Sequence, residues 1–303
     1  FKVSKKAWKK GGSKMFVNVN TMVSVEDLIR GIIVQSGNDA CIAIAEGISG
    51  SEALFAEELN LLAKEIGMMN SSFTNSTGWP DPDHLTTIQD LLTLTVRTIE
   101  DFPELYYYYA EKEFTYSGIR QLNRNPLLFN EINADGLKTG HTSLGGYGLV
   151  ASVLKNNRRL ILILNGLKKN RDRSDESERL IKVGFNQYKV VDLFFKNQTI
   201  ANLQVWGGRK KNVEVYSKED VNLTVPNRIK KDLKFTIKHY KPLLAPIEKD
   251  QKVADLIVKK KNNEIIKKFE LFSKNEIRKM SFFSKVYNNL KYLLLGDSIF
   301  KSK

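Results

Sequence analysis

The sequence is poor in cysteine, histidine and proline, and it has no long apolar run. Its 303 residues include one cysteine, three histidines and seven prolines. The single cysteine, Cys41, excludes an intramolecular disulfide and a cysteine-based zinc finger. The histidines do not show the H-E-x-x-H spacing of zinc peptidases. The longest apolar runs are far shorter than the ~20 residues that a membrane-spanning helix needs.

Positive charge is concentrated in the last third of the chain. Residues 195–303 contain 25 Lys and Arg against 11 Asp and Glu, whereas residues 1–194 contain 23 of each. A nucleic-acid enzyme more often carries its positive charge around the active site. The distribution here indicates a neutral body with a basic appendage, and no nucleic-acid partner is predicted. We expect the appendage to contact something anionic.

The first two-thirds of the chain combines helical and extended patterns. Residues 24–27 form a capping box, and apolar residues follow it at helical spacing. Further helices are predicted over residues 39–48, 51–66, 86–99 and 176–190. Residues 1–16 are predicted to be extended, and apolar runs over 147–155 and 159–166 predict an antiparallel hairpin. Helices clustered around such a hairpin indicate an α+β fold rather than a βαβ repeat.

From about residue 194 the pattern changes to short strands. Gly, Asn, Asp or Pro separates six alternating runs, at residues 199–205, 213–216, 221–225, 233–239, 252–258 and 265–272. These runs predict a small all-β module. The last 24 residues return to a helical pattern. The sequence therefore predicts three parts: residues 1–193, a β-rich domain over 194–279, and a C-terminal amphipathic helix over 280–303.

Two short motifs stand out in the first part. Ser36-Gly37-Asn38 fits S-x-N and lies between two predicted helices, where Ser and Gly are also ordinary turn formers. Lys138-Thr139-Gly140 fits K-T-G and leads into the hairpin; alone, it is also compatible with a surface strand end. Their order and setting match the serine acyl-transferases that bind penicillin, in which S-x-x-K, S-D-N and K-T-G occur together.

Longer strings around these motifs resemble the low-molecular-mass penicillin-binding proteins that are serine-type D-alanyl-D-alanine carboxypeptidases. The strings are Gln35-Ser-Gly-Asn-Asp-Ala-Cys41, Glu111-Lys-Glu-Phe-Thr-Tyr-Ser-Gly-Ile-Arg-Gln-Leu-Asn-Arg124 and Asp135-Gly-Leu-Lys-Thr-Gly-His-Thr142. The resemblance covers the whole chain. It implies the penicillin-binding, serine β-lactamase-like sandwich of a helical cluster and an antiparallel sheet, followed by the β-rich domain. It also implies removal of the terminal D-alanine from peptidoglycan pentapeptide (D-Ala-D-Ala) through an acyl-enzyme, inhibition by β-lactams, and no metal or other cofactor.

The resemblance further implies roles for single residues. Ser36 would relay a proton between the active-site lysine and the departing D-alanine, and Asn38 would hold that lysine and the substrate backbone. Lys138 and Thr139 would bind the terminal carboxylate. Gly140 would leave room for the peptide to lie along the strand edge. Main-chain N–H groups after Lys138 would contribute to an oxyanion hole.

The S-x-x-K motif, which carries the nucleophilic serine and the base lysine, is the departure from the family pattern. It belongs upstream of S-x-N, and the serines among the 35 preceding residues have no lysine three residues later. Matches occur at Ser152…Lys155, along a predicted strand that points the pair to opposite faces, and at Ser298…Lys301 in the tail. Both are interpreted as chance. We expect that the chain begins after this motif and does not acylate by itself.

Three further residues near these motifs are candidates with alternatives. By the resemblance, His141 lies beside the site, with either a direct role or a packing role. Arg173 would either support the carboxylate pocket or lie on the helix surface near Asp175 and Glu176. Cys41 falls on the apolar side of a helix and is predicted to be buried and inert.

Two other functions compete with the carboxypeptidase. A β-lactamase of class A needs a glutamate that activates the deacylating water, but the nearest string, residues 56–60, begins with Ala56 and misses the E-x-x-L-N register. It also lies within a predicted regular helix. The second alternative is a non-catalytic protein that binds cell-wall peptides, which the missing nucleophile favours for this chain alone.

The C-terminal segment predicts a partner of its own. From Met280 onward, apolar residues repeat at three- and four-residue steps; they are Phe283, Val286, Tyr287, Leu290 and Leu294. This pattern is typical of a helix lying in a membrane interface, where nearby lysines are attracted to anionic lipid. A helix packed on the β domain or on a partner protein is the alternative. Together with the resemblance, the segment predicts a peripheral protein of the bacterial periplasm, on the outer face of the inner membrane.

Overall fold

A computed structural model of the chain describes residues 1–229, 233–281 and 286. The chain divides into two compact units, Phe1–Gly184 and Phe185–Lys303. Within the described residues, none of the helices is long and apolar enough to cross a membrane.

Six helices are distributed along the first unit, the last of which continues to Gln187. They are α1 Lys5–Lys9, α2 Val25–Ile33, α3 Asn38–Ser49, α4 Glu52–Glu65, α5 Ile88–Asp101 and α6 Asp172–Gln187. Hydroxyl side chains begin several of them, since Ser24 Oγ accepts from Asp27 N at 3.0 Å and Ser51 Oγ accepts from Leu54 N at 3.2 Å. Both helix starts predicted there are confirmed. Short 3₁₀ turns follow α5, at Tyr106–Ala110 and Pro126–Phe129.

The helical cluster has a core of its own, which includes Met15, Leu28, Ile42 and Phe114. Gly31 of α2 allows a close approach in this core, because a Cβ at that position would lie 2.3 Å from Met15 Sδ. The segment before α2 is thereby packed against α2 and α3.

Five strands accompany these helices. They are β1 Glu113–Tyr116, β2 Ile119–Leu122, β3 Ala134–Thr142, β4 Gly146–Lys155 and β5 Arg158–Leu167. The first two form a hairpin, and β3, β4 and β5 form an antiparallel sheet in that order, so β3 is an edge strand. Asn156 and Asn157 both have φ values above 50°, which suits the tight turn between β4 and β5. The predicted hairpin and the α+β class are confirmed.

The second unit is a β domain, as predicted. Its strands are β6 Tyr188–Phe194, β7 Thr199–Trp206, β8 Asn212–Tyr216, β9 Val221–Pro226, β10 Leu233–Lys238, β11 Leu243–Leu244, β12 Lys252–Lys260 and β13 Ile265–Ser273. The larger sheet has the order β10-β12-β13-β8-β7-β11, and β6 pairs with β9. Alternating apolar residues of these strands form one core, which includes Val215, Leu256 and Leu271.

Several predicted boundaries differ from the structure. Residues 1–16 are not wholly extended, because Ser4 Oγ accepts from Ala7 N and begins α1. The helix predicted over 176–190 begins at Asp172 and ends at Gln187, since Tyr188 already pairs with Pro226 of β9. The predicted domain boundary after residue 193 falls inside β6. The predicted helix over 280–303 lies almost entirely outside the described residues, as does Ser298…Lys301.

Candidate active site

A cleft of about 1050 Å³ in the first unit contains all seven residues predicted for the site. Those residues are Ser36, Asn38, Lys138, Thr139, Gly140, His141 and Arg173. They come from three separate places in the chain: the loop between α2 and α3 together with the first residue of α3, strand β3, and the start of α6. The S-x-N and K-T-G motifs therefore converge on one cleft.

The backbone of Ser36 is strained, in the loop between α2 and α3. Its φ of 55° is in the left-handed region, which serine seldom adopts without support from the surrounding structure. The support comes from its neighbours in the chain. Gln35 is fully buried and its Nε2 donates to Phe114 O at 3.1 Å, and Gly37 N donates to Gly31 O at 3.0 Å. These bonds hold Ser36 at the cleft.

Asp39 binds the segment that forms one wall of the cleft. Its fully buried carboxylate accepts from Met15 N at 2.8 Å, from Phe16 N at 2.9 Å and from Val17 N at 3.3 Å. Next to it, Asn38 Nδ2 donates to Gly11 O at 2.9 Å. A buried charge is stable when several donors face it, so these bonds fix residues 11–17 against the start of α3.

Lys138 reaches from β3 to the Ser36 loop. Its Nζ donates to Ser36 Oγ at 2.7 Å and to Thr139 O at 3.0 Å. The pKa of Lys138 is lowered to about 8, mainly by burial, and the charges of Arg124 and Arg173 contribute to that lowering. Lys138 therefore loses its proton at a lower pH than an exposed lysine does.

Lys138, Arg124 and Arg173 line the cleft. None of the described residues that line it is an aspartate or a glutamate. Arg124 Nη1 donates to Ser13 Oγ at 2.5 Å, and burial lowers the pKa of Arg124. Arg173 is 7% exposed, and its Nε donates to Asn170 Oδ1 at 3.1 Å. Three cations that repel one another without a counter-ion make a site for an anionic ligand.

The alternative interpretation of Arg173 as a surface residue is wrong. Its guanidinium is buried and lies 5.1 Å from the ring centre of Tyr147. Asp175 pairs instead with Arg171, and Glu176 pairs with Arg179. The contact of Arg173 with Tyr147 of β4 decides this, and the local sequence does not contain it.

His141 and Gly140 lie near the C-terminal end of β3, which is an edge strand. The His141 ring is stacked on Tyr147, with ring centres 4.0 Å apart. Thr139 is 8% exposed, whereas Gly140 is exposed and has nothing within 4 Å of the position of a Cβ. The free edge of β3 and the space at Gly140 leave room for an extended peptide.

A further wall of the cleft was not predicted from the sequence. It is formed by Phe73, residues 75–80 and His84. Asn75 Oδ1 accepts from Thr77 N at 3.1 Å and from Trp79 N at 3.0 Å, which closes this loop on itself. Arg124 was also missed as a site residue, although it ends one of the strings that carry the family resemblance.

Cys41 lines the cleft from α3 and is half-buried. Burial raises the pKa of its thiol to about 12, so the sulfur stays protonated and unreactive at neutral pH. This agrees with the expected inertness, but the thiol faces the site rather than the core alone.

Ser152 and Lys155 do not form a catalytic pair. Ser152 is fully buried and its Oγ accepts from Arg159, whereas Lys155 is exposed on β4. The expectation that they point to opposite faces is confirmed. Among the described residues there is also no cluster of three His, Cys, Asp or Glu side chains that could hold a metal ion.

Comparison with known families decides how this cleft is classified. The peptidase S11 family, described as D-alanyl-D-alanine carboxypeptidase, matches residues 1–168, and the C-terminal domain of penicillin-binding protein 5 matches residues 188–279. The chain belongs to the D-alanyl-D-alanine carboxypeptidase family. The family predicted from the motifs is confirmed.

Individual relatives agree with this assignment. The chain is 37% identical over 294 residues to D-alanyl-D-alanine carboxypeptidase DacC of Escherichia coli, which covers 94% of this chain and 73% of the relative. It is 35% identical over 300 residues to DacA of Haemophilus influenzae. The match covers 97% of this chain and 76% of the relative. Both relatives are longer than this chain.

Solved structures agree on the fold of the carboxypeptidase. Penicillin-binding protein 5 from Haemophilus influenzae superposes with a TM-score of 0.85 at 36% identity, covering 92% of this chain and 82% of the other. DacD from Francisella tularensis superposes with a TM-score of 0.75 at 29% identity. The superposition covers 92% of this chain and 81% of the other. The predicted penicillin-binding fold with a C-terminal β domain is therefore correct.

Proposed function

We propose that this carboxypeptidase cleft binds the D-Ala-D-Ala end of peptidoglycan pentapeptide, and that the enzyme removes the terminal D-alanine through an acyl-enzyme. The observation that carries the proposal is the hydrogen bond between Lys138 Nζ and Ser36 Oγ inside a cleft lined by three cations. A free peptide carboxylate is the anion that such a group of cations would attract.

The substrate carboxylate is assigned to the end of the cleft that holds Lys138, Thr139 and Arg173. The peptide chain then extends along the free edge of β3, where Gly140 offers no side chain to obstruct it. This arrangement places the scissile amide near Ser36. Backbone N–H groups of the edge strand supply the donors that stabilise an oxyanion.

Ser36 serves as a proton relay in this proposal. A hydroxyl is both donor and acceptor, so it accepts a proton from the active-site lysine of the S-x-x-K motif and passes it to the departing amine. Lys138 Nζ donates to the Ser36 hydroxyl at 2.7 Å and lies beside this relay, while its own role is to bind the substrate carboxylate. Asn38 lies beside the relay, with its amide nitrogen bound to Gly11 O and its oxygen available to a further donor.

We further propose that the nucleophile and its base are not among these 303 residues. Ser152 and Lys155 point to opposite faces, and the only other S-x-x-K match, Ser298…Lys301, lies outside the described residues. The chain by itself would then bind the peptide without acylation. This non-catalytic binding is the second candidate function, supported by a cleft that contains Lys138, Thr139 and Arg173.

Hydrolysis of β-lactams is a weaker alternative. No carboxylate lines the cleft within the described residues, so the glutamate that deacylation in class A β-lactamases requires is not supplied there. Glu57 and Glu58 are exposed on α4, inside a regular helix. Rapid turnover of a chromogenic cephalosporin would contradict the carboxypeptidase assignment.

Fluorescent penicillin tests the proposal directly. The 303-residue chain is expected to remain unlabelled, and a longer protein with an upstream S-x-x-K segment is expected to be labelled. Lys138→Ala in the longer protein should weaken labelling, while Lys155→Ala serves as the control on an exposed lysine. Labelling of the short chain that Ser36→Ala abolishes would instead identify Ser36 as a nucleophile.

The proposed location is the outer face of the bacterial inner membrane. The support is the apolar stripe in residues 280–303 and the excess of positive charge after residue 195. Co-sedimentation with anionic vesicles tests it. The full chain should pellet and a chain ending at Arg278 should stay in solution, whereas equal partitioning of both would exclude the helix as an anchor.

A further inference from the structure

Several exposed cations lie near residues 278–280, where the second unit leads into the C-terminal segment. The turn 207–211 between β7 and β8 lies beside residues 278–280. Arg209 N donates to Arg278 O at 2.8 Å, and Met280 N donates to Gly207 O at 2.9 Å. We call the exposed basic residues at this place the exit patch; they are Arg209, Lys210, Lys211, Arg278 and Lys279.

Most of this charge is not neutralised. Arg278 pairs with Glu276, with 2.9 Å between Nε and Oε1. In the part of the chain that the structure describes, Arg209, Lys210, Lys211 and Lys279 take part in no ion pair. Like charges held close together repel, and an extended anionic surface would relieve that repulsion.

An exposed apolar side chain lies next to the exit patch. Leu244 is 64% exposed and stands in register beside Trp206, the residue before the turn. Cations beside an exposed leucine are typical of a surface that meets a lipid interface.

We propose that the exit patch docks on an anionic phospholipid surface. The inference rests on the proposed membrane location of this enzyme, and it adds a second contact besides the C-terminal segment. The bond from Met280 N to Gly207 O keeps the start of that segment at the patch. A bilayer that binds residues 282–303 is therefore within reach of the patch, which a distant partner would not be.

A second contact with the membrane restricts the orientation of the β domain. A single anchoring segment lets the β domain tilt about its attachment point. A charged contact at the exit turn restricts that tilt, because four or more cations must remain within about a Debye length, ~8 Å, of the lipid headgroups. The exit patch thus orients the second unit on the membrane.

The test compares two variants of the full chain with equal net charge. Arg209→Gln, Lys210→Gln and Lys211→Gln together neutralise the patch. Lys234→Gln, Lys267→Gln and Lys268→Gln remove the same charge from exposed positions on β10 and β13. Partitioning is measured on phosphatidylglycerol-containing vesicles and on phosphatidylcholine vesicles, and circular dichroism checks that both variants remain folded.

At roughly fivefold per charge near the surface, the patch variant should lose about a hundredfold in affinity for anionic vesicles, and the control variant less than about threefold. Equal losses in the two variants, or none, would overturn the inference while the wild type still binds. Failure of the wild type to bind would instead overturn the membrane location. If the patch variant loses binding to purified peptidoglycan and keeps vesicle binding, the partner is the polymer and the inference is wrong.

Discussion

Lys138 Nζ and Ser36 Oγ lie 2.7 Å apart, although 102 positions separate the two residues in the chain. The bond joins the edge strand β3 to the loop between α2 and α3. An ammonium group has three donors, and Lys138 uses two of them on Ser36 Oγ and Thr139 O. One donor remains for a ligand. This is the geometry expected of a lysine that binds a carboxylate beside the Ser36 hydroxyl.

Removal of the Lys138 charge is expected to weaken peptide binding without unfolding the protein. Lys138→Met keeps the length of the side chain and removes the donor to the carboxylate. A hydrogen bond to a charged group contributes about 1.5–3 kcal/mol, so affinity for an acylated D-Ala-D-Ala peptide should fall roughly 10- to 100-fold. Calorimetric titration measures it, with Lys155→Met as the control. Equal affinity in the two variants would exclude Lys138 as the binding group.

Peptide affinity is expected to fall as pH rises through about 8. The peptide carboxylate is ionised throughout this range, whereas Lys138, with a pKa lowered to about 8, loses its charge there. Affinity should be nearly constant from pH 6 to about 7 and lower above 8. Cys41, with a pKa raised to about 12, does not titrate in this interval, and burial lowers the pKa of His84 below its ordinary value of 6.5. The Lys138→Met variant should give a flat profile, and a flat profile in the wild type would contradict the assignment.

Asp39 is expected to be important for stability and for the wall of the cleft. Asp39→Ala leaves the N–H groups of Met15, Phe16 and Val17 without their acceptor, at a cost of about 2–4 kcal/mol in the free energy of unfolding. Urea denaturation measures this cost. Glu57→Ala, an exposed change on α4, should stay within about 0.5 kcal/mol.

Hydrogen exchange localises the same effect. Amides of residues 15–17 should exchange faster in Asp39→Ala than in Asp39→Asn, which keeps one acceptor oxygen. Unchanged exchange in this segment would show that Asp39 does not fix it.

A side chain at Gly140 is expected to obstruct the peptide and leave the fold intact. A Cβ there meets nothing within 4 Å, and a β-branched residue suits a strand, so Gly140→Val should change the unfolding free energy by less than about 1 kcal/mol. The same change should lower peptide affinity about tenfold or more if the peptide lies along β3. Thermal denaturation and calorimetric titration of one variant separate the two effects. Undiminished affinity would place the peptide elsewhere.

The local signals in the sequence were sufficient for much of the secondary structure and for the family. Ser24 and Ser51 begin helices because a hydroxyl satisfies free backbone amides within three residues, which is a purely local interaction. The hairpin of β4 and β5 follows from alternating apolar runs and a turn that accepts asparagine. Both motifs of the cleft were recognisable as strings, and so was the basic character of the second unit.

Tertiary structure alone decided the properties that depend on distant residues. Arg124 and the loop over residues 75–80 line the cleft through contacts that no periodic pattern encodes. The lowered pKa of Lys138 requires burial and two arginines from other parts of the chain. Arg173 belongs to the site and not to the helix surface because α6 packs it against Tyr147. Backbone preferences are set by neighbours in sequence, whereas burial and electrostatic environment are set by neighbours in space, and these exist only once the chain has folded.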